Sequence, residues 1–132
     1  MIVVKAIFLL ILAVAVVESS GLAQNTTRWV FSGFANCNPA GPPSDYLIVL
    51  TLLAVDTFDT RKCGSAVARQ DDGSFYIECQ NNSTDATPQL EILHGCGGMC
   101  LFWWKGYSEP EYHLNFTLSR RFGEPAVGCR KE

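Results

Sequence analysis

The chain has 132 residues, of which 48% are apolar and 17% charged, with a formal net charge of −3. So many aliphatic and aromatic side chains at so low a charge exclude intrinsic disorder, and bases scattered this thinly exclude a polyphosphate partner such as nucleic acid, which needs clustered Lys and Arg. The length supports one domain and argues against two.

The first element is a leader. Ile7 to Val17 is an unbroken apolar run of 11 residues, with Lys5 before it and Gly21-Leu22-Ala23 after it. A basic start, a short apolar centre and a small residue at the cut describe a secretory signal over residues 1–23, leaving a domain over 24–132. The run is too short to cross a hydrocarbon layer, which takes about 20 residues, so the chain is not expected to span a membrane.

Beyond the leader, alternation replaces helical periodicity. From Trp29 to Cys37 the odd positions are apolar or small, which predicts a strand with Cys37 pointing inward. Asn38 to Pro43 is a turn cluster, and the β-branched, nearly continuous apolar run from Tyr46 to Val55 predicts a buried strand. Asp71-Asp72-Gly73 is a hairpin turn signal, after which Phe75, Ile77 and Cys79 share the inward parity. Gln80 to Thr87 is a polar loop. Leu90, Ile92, His94 and Cys96 then fall on one face of a further strand.

Two more strands follow, over Leu101 to Lys105 and Tyr112 to Arg120. In the second, Leu114, Phe116 and Leu118 face the core, and His113, Asn115 and Thr117 face solvent. Short strands separated by turn clusters, with no helix of normal length, predict an all-β antiparallel sandwich.

Six cysteines, Cys37, Cys63, Cys79, Cys96, Cys100 and Cys129, all follow the leader, and an even count in a small secreted chain reads as disulfides. The spacings of His94, Cys96 and Cys100 lack the paired short ligand spacings of structural zinc, so no metal is expected. Four acceptor sequons, at Asn25, Asn81, Asn82 and Asn115, point to the same extracellular, glycosylated state.

Several stretches carry a family resemblance. Gly33-Phe34-Ala35-Asn36-Cys37-Asn38 resembles the Gly-x-Leu-x-Cys-Asn opening of the nematode transthyretin-like family, with Ala35 in place of the leucine. Leu52 to Thr57 is similar to the family's second strand, which closes on an Asp, and Asp72-Gly73-Ser74-Phe75 resembles its hairpin. Thr87 to Cys96 resembles its Pro-x-Leu-x-Ile-x-His-x-Cys strand, the most specific of these motifs. The resemblance runs from Val30 to Cys96 and implies a secreted, seven-strand transthyretin-like sandwich. Cys63 and Cys79 look like a pair added to the pattern, and the tail from Phe102 onward departs from it.

Of the 15 connectivities open to six cysteines, parity favours Cys37 with Cys96 across the layers; the added pair, Cys63 with Cys79, would close a short loop across the Asp-Gly turn, which leaves Cys100 for Cys129.

For chemistry, only His94 and His113 are available as histidines. His94 shares the face of Leu90 and Ile92, where a core histidine bonded to backbone or a loop is expected; His113 lies on the solvent parity. No nucleophile elbow, phosphate loop or His-Glu-x-x-His appears. Hydroxyisourate hydrolases resemble transthyretin and end in Tyr-Arg-Gly-Ser, but this chain ends Gly128-Cys129-Arg130-Lys131-Glu132. Shared fold alone does not assign the activity, so no catalysis and no cofactor are expected.

The informative segment is Leu101 to Tyr107, where both parities of a strand are large and apolar. One face enters the core; the other is either covered by the terminal segment or offered as an aromatic ledge. On the second reading Trp103, Trp104 and Tyr107 are binding residues for an extracellular protein or lipid, and the protein acts by binding or bridging outside the cell. The alternative is a secreted structural protein with no specific ligand.

Overall fold

The computed structural model describes residues 26–39 and 45–131. The expected leader, the Asn25 sequon and most of the turn cluster after Cys37 lie outside these residues.

Eight strands follow one another: β1 (Thr27–Cys37), β2 (Val49–Val55), β3 (Thr60–Val67), β4 (Ser74–Asn81), β5 (Thr87–His94), β6 (Leu101–Gly106), β7 (Glu111–Leu118) and the two-residue β8 (Glu124–Pro125). No described residue is helical. The strands form a three-stranded sheet in the order β4-β1-β7 and a five-stranded sheet in the order β3-β2-β5-β6-β8. Six or seven strands were expected; the described residues form eight, the last of them short.

The core is where the inward parities meet. Trp29, Phe31 and Ala35 of β1, with Phe75 and Ile77 of β4, face Leu50, Leu52 and Ala54 of β2 and Leu90 and Ile92 of β5. A strand's side chains alternate between faces, so each of these sets lies on one side of its sheet. The expected parities of β1, β4, β5 and β7 are those observed. The run to Val55 behaves differently from its hydropathy: it forms a strand only from Val49, and Val49, Thr51, Leu53 and Val55 stand half-buried on the outer face.

Two disulfides tie the sheets together. Cys37 at the end of β1 bonds Cys96 just past β5, and Cys63 of β3 bonds Cys79 of β4. Cys100 bonds Cys129, fastening the terminal segment to the start of β6. All three pairings are those expected: the first from parity, the second from closure across the Asp-Gly turn and the third by elimination. Closing the short loop between Cys63 and Cys79 contributes about 3 kcal/mol in the chain-entropy account. Three disulfides in a small β domain are compatible with an extracellular protein.

The structure departs from expectation in three places. β3 was not foreseen, because Thr60-Arg61-Lys62 is exposed and the strand's alternation is broken by a register shift opposite Leu52 and Leu53. The Asp-Gly turn exists, with Gly73 at φ +77°, but it does not make a two-residue hairpin. It carries the chain from β3 in one sheet to β4 in the other, closed by Gly73 N–H to Arg69 C=O at 2.7 Å and Arg69 N–H to Ser74 C=O at 2.9 Å. Third, the ladders are antiparallel apart from β1–β7, which run parallel.

That parallel ladder depends on Gly33, which faces Leu114 at φ +142°. A Cβ there would lie 1.7 Å from the Leu114 carbonyl oxygen, so only glycine lets the two backbones approach.

Candidate functional site

β7 is an edge strand of the smaller sheet, and β8 pairs with β6 only at Leu101 and Phe102. The sandwich is therefore thinly closed along the line where β6 faces β7. An open cleft of about 770 Å³ lies there, lined by Trp103, Lys105, Tyr107, Tyr112, Leu114, Phe116 and Phe122 together with Gly106 and Ser108. Ligand sites typically span about 300–1,000 Å³ and combine apolar walls with a few polar groups.

Aromatic side chains make both ends of this cleft. At one end the Trp103 ring lies 5.3 Å from Phe116 and 5.0 Å from Phe122, centroid to centroid. At the other, Tyr107 and Tyr112 are 4.7 Å apart and both pack on Phe31, at 5.3 and 5.1 Å. Such edge-on and tilted pairs hold rings in fixed positions beyond what area burial provides. Leu114 lies between the two groups on β7 and is only half-buried.

The middle of the cleft is open because of Lys105. It lies opposite Leu90 in the ladder, on the same inward parity as Leu101 and Trp103, yet it is exposed. An ammonium cannot be packed into an apolar layer without a partner, so the side chain leaves the interior and leaves a gap behind it. Its Nζ rests 5.3 Å from the centre of the Tyr107 ring.

The polar chemistry of the lining is sparse. Tyr112 Oη accepts N–H bonds from Ser108 at 3.3 Å and Glu109 at 3.1 Å, and the Ser108 contact draws its phenol below the ordinary value. Burial, and secondarily Tyr112, pushes the Tyr107 phenol up. The raised Tyr107 phenol stays protonated at neutral pH.

His94 sits behind the cleft and holds one wall of it. The residue is fully buried. Its Nδ1 accepts the Cys96 N–H at 3.1 Å, which places the ring proton on Nε2, and Nε2–H donates to the Phe122 carbonyl at 2.7 Å. Both ring nitrogens are used, as expected for a core histidine. Burial pushes the imidazole below its ordinary value, and the Phe122 carbonyl offsets part of that. His113 lies exposed on the opposite sheet, 3.3 Å from Ser32 Oγ. Among the described residues, no three His, Cys, Asp or Glu side chains are grouped to hold a metal ion.

The three residues singled out in the sequence do not share one surface. Trp103 and Tyr107 line the cleft. Trp104, 58% exposed, is on the outer face of the five-stranded sheet, opposite Glu91. There it adjoins a row formed across four strands by Val67, Val49, Leu93 and Phe102. Burial among these neighbours raises the Glu91 carboxyl. The outer face of the smaller sheet is polar instead, with Arg28, Tyr76 and Glu78 bonded to one another.

The terminal segment does cover part of β6, through β8 and the Ala126 N–H bond to Cys100 C=O at 3.0 Å. It reaches only the start of the strand. Lys105, Tyr112 and Phe122 were not singled out in the sequence. The signal for Lys105 was present, a charge on the inward parity of an apolar strand; for Phe122, in a turn, there was none.

Among the described residues no helix is long and apolar enough to cross a membrane. Compared with known proteins, the chain matches no family model, no curated protein and no solved structure.

Proposed function

We propose that this protein is a secreted, glycosylated binding protein of transthyretin-like type that takes the apolar part of an extracellular ligand into the cleft between β6 and β7. The observation that carries this reading is the cleft itself: two fixed aromatic groups at its ends, Lys105 standing out of its middle, and a volume of about 770 Å³. The transthyretin-like kinship draws its support from the Thr87–Cys96 motif, which lies along β5 and ends at the cysteine that bridges the sheets. No group of catalytic residues enters the reading, and its role is capture rather than turnover.

The test uses a neutral naphthylamine dye whose emission rises in an apolar site. The mature protein should brighten it and transfer energy from Trp103. Trp103→Ala and Tyr107→Ala should each weaken binding about tenfold, the scale of a truncated aromatic anchor. Trp104→Ala, on the other face, should leave binding unchanged. Equal binding by all four proteins would remove the cleft from the reading, and sensitivity to Trp104 alone would move the site to the outer sheet face.

A further inference from the structure

Resting on the cleft reading above, the geometry points to a specific ligand class: we infer that the cleft takes a single-chain amphiphile with an anionic head, such as a free medium- or long-chain carboxylate, its tail between the aromatic groups and its head at Lys105.

The argument starts from the placement of a charge. Along the inward parity of β6 the residues are Leu101, Trp103 and Lys105, and the ladder sets Lys105 against the buried Leu90. An apolar residue there would close the gap against Leu114 by ordinary packing. Lysine instead leaves the gap open and brings one positive charge to its mouth. Among the described residues no carboxylate pairs with that ammonium, as the ion pairs present are those of Arg28, Arg61 and Arg69, all away from the cleft lining. The lining contains no acidic residue at all. Apolar walls with one cation that no carboxylate neutralises are the complement of an apolar body with one negative charge.

A second donor stands beside it, on the side of the tyrosines. The Lys105 ammonium lies over Tyr107, and Tyr107 packs on Tyr112. The Tyr112 hydroxyl already accepts two backbone N–H groups, so its own proton is left to give. A carboxylate head has two oxygens, one for the ammonium and one for the phenol. The apolar remainder extends past Leu114 toward Trp103, Phe116 and Phe122. The lining draws on β6 of one sheet and β7 of the other, which suits a single chain lying between them, so the ligand is a monomeric amphiphile taken from solution.

Displacement of the neutral dye from the full mature chain tests this with decanoate and decanol, which share a tail and differ in head. Decanoate should displace the dye about fivefold to tenfold more readily than decanol, the yield of a partly exposed charge-assisted contact. Rising ionic strength should narrow that margin. Lys105→Gln should abolish it, and Lys105→Glu should reverse it, each read as the ratio of decanoate to decanol displacement within the same variant. Lys105→Leu should lose the dye itself, because leucine fills the gap.

Equal displacement by decanoate and decanol would overturn the head-group assignment while leaving the cleft reading intact. Dye binding that no cleft variant alters would overturn both. Lys105-dependent attachment to vesicles of anionic phospholipid, with no response to decanoate, would overturn the monomeric ligand in favour of a membrane surface.

Discussion

Replacing His94 by leucine keeps most of the side-chain volume and removes two hydrogen bonds at once. The Cys96 N–H is buried, and leaving it without an acceptor costs about 1–3 kcal/mol. The Phe122 carbonyl is nearer the surface and regains part of its bonding from water, so its loss lies at the low end of the same range. Together they give an expected destabilisation of about 2–4 kcal/mol, a large share of a small domain's stability. The pH dependence is the sharper readout. In the unfolded chain the imidazole takes a proton near pH 6.5, roughly the free value, whereas in the native state burial holds it neutral to lower pH. Below about pH 6.5 the native state therefore binds fewer protons than the unfolded one. The stability from neutral His94 is fully present above that value and is lost as pH falls through the folded pKa, at no more than about 1.4 kcal/mol per pH unit. Glu91 acts in the opposite sense, since burial raises its carboxyl and protonation then favours the native state, in the carboxylate range. Urea unfolding with the disulfides intact, followed by the emission of the buried Trp29 from about pH 8 to about pH 5.5, measures the lowered midpoint and the histidine's pH dependence. The leucine variant should have a lower midpoint and no loss between those limits. A parent-like midpoint, or a pH slope that survives the substitution, would refute the assignment of a neutral histidine clamp.

Two other predictions follow from particular contacts. Gly33→Ala places a methyl 1.7 Å from the Leu114 oxygen at a φ of +142°, so it should cost more than about 3 kcal/mol in urea unfolding and weaken dye binding by moving β7; a cost below about 0.5 kcal/mol would contradict the described β1–β7 ladder. Asn81 is 4% exposed and its amide bonds Ser83 at both ends, while Asn82 and Asn115 are exposed, so glycopeptide mapping after expression in a secretory host should find sugar at Asn82 and Asn115 and none at Asn81. Folded protein carrying a glycan on Asn81 would refute its placement.

Much of the fold was legible because period-2 alternation reports directly which side of a strand is buried. Trp29 to Cys37, Phe75 to Cys79 and Leu90 to His94 kept their expected faces, and the Cys37–Cys96 disulfide followed from where two of those faces met. β3 was illegible for the converse reason: Thr60, Arg61 and Lys62 are exposed at a sheet edge, so burial left no pattern in them. The Asp-Gly turn was recognisable locally, but whether it joins neighbouring strands or two layers is not a local property.

The candidate site divides along the same line. The amino-acid sequence by itself determined that a strand from Leu101 carries large apolar residues on both parities, and that six cysteines hold the chain together, because side-chain type and spacing are written in it directly. Only the tertiary structure decided that Trp103 and Tyr107 face a cleft while Trp104 faces outward, that Phe122 comes to rest on Trp103, and that Lys105, opposite Leu90, has no carboxylate beside it. Those relations join residues from β5, β6, β7 and the turn after β7, and a contact between distant segments exists only once the two sheets have packed.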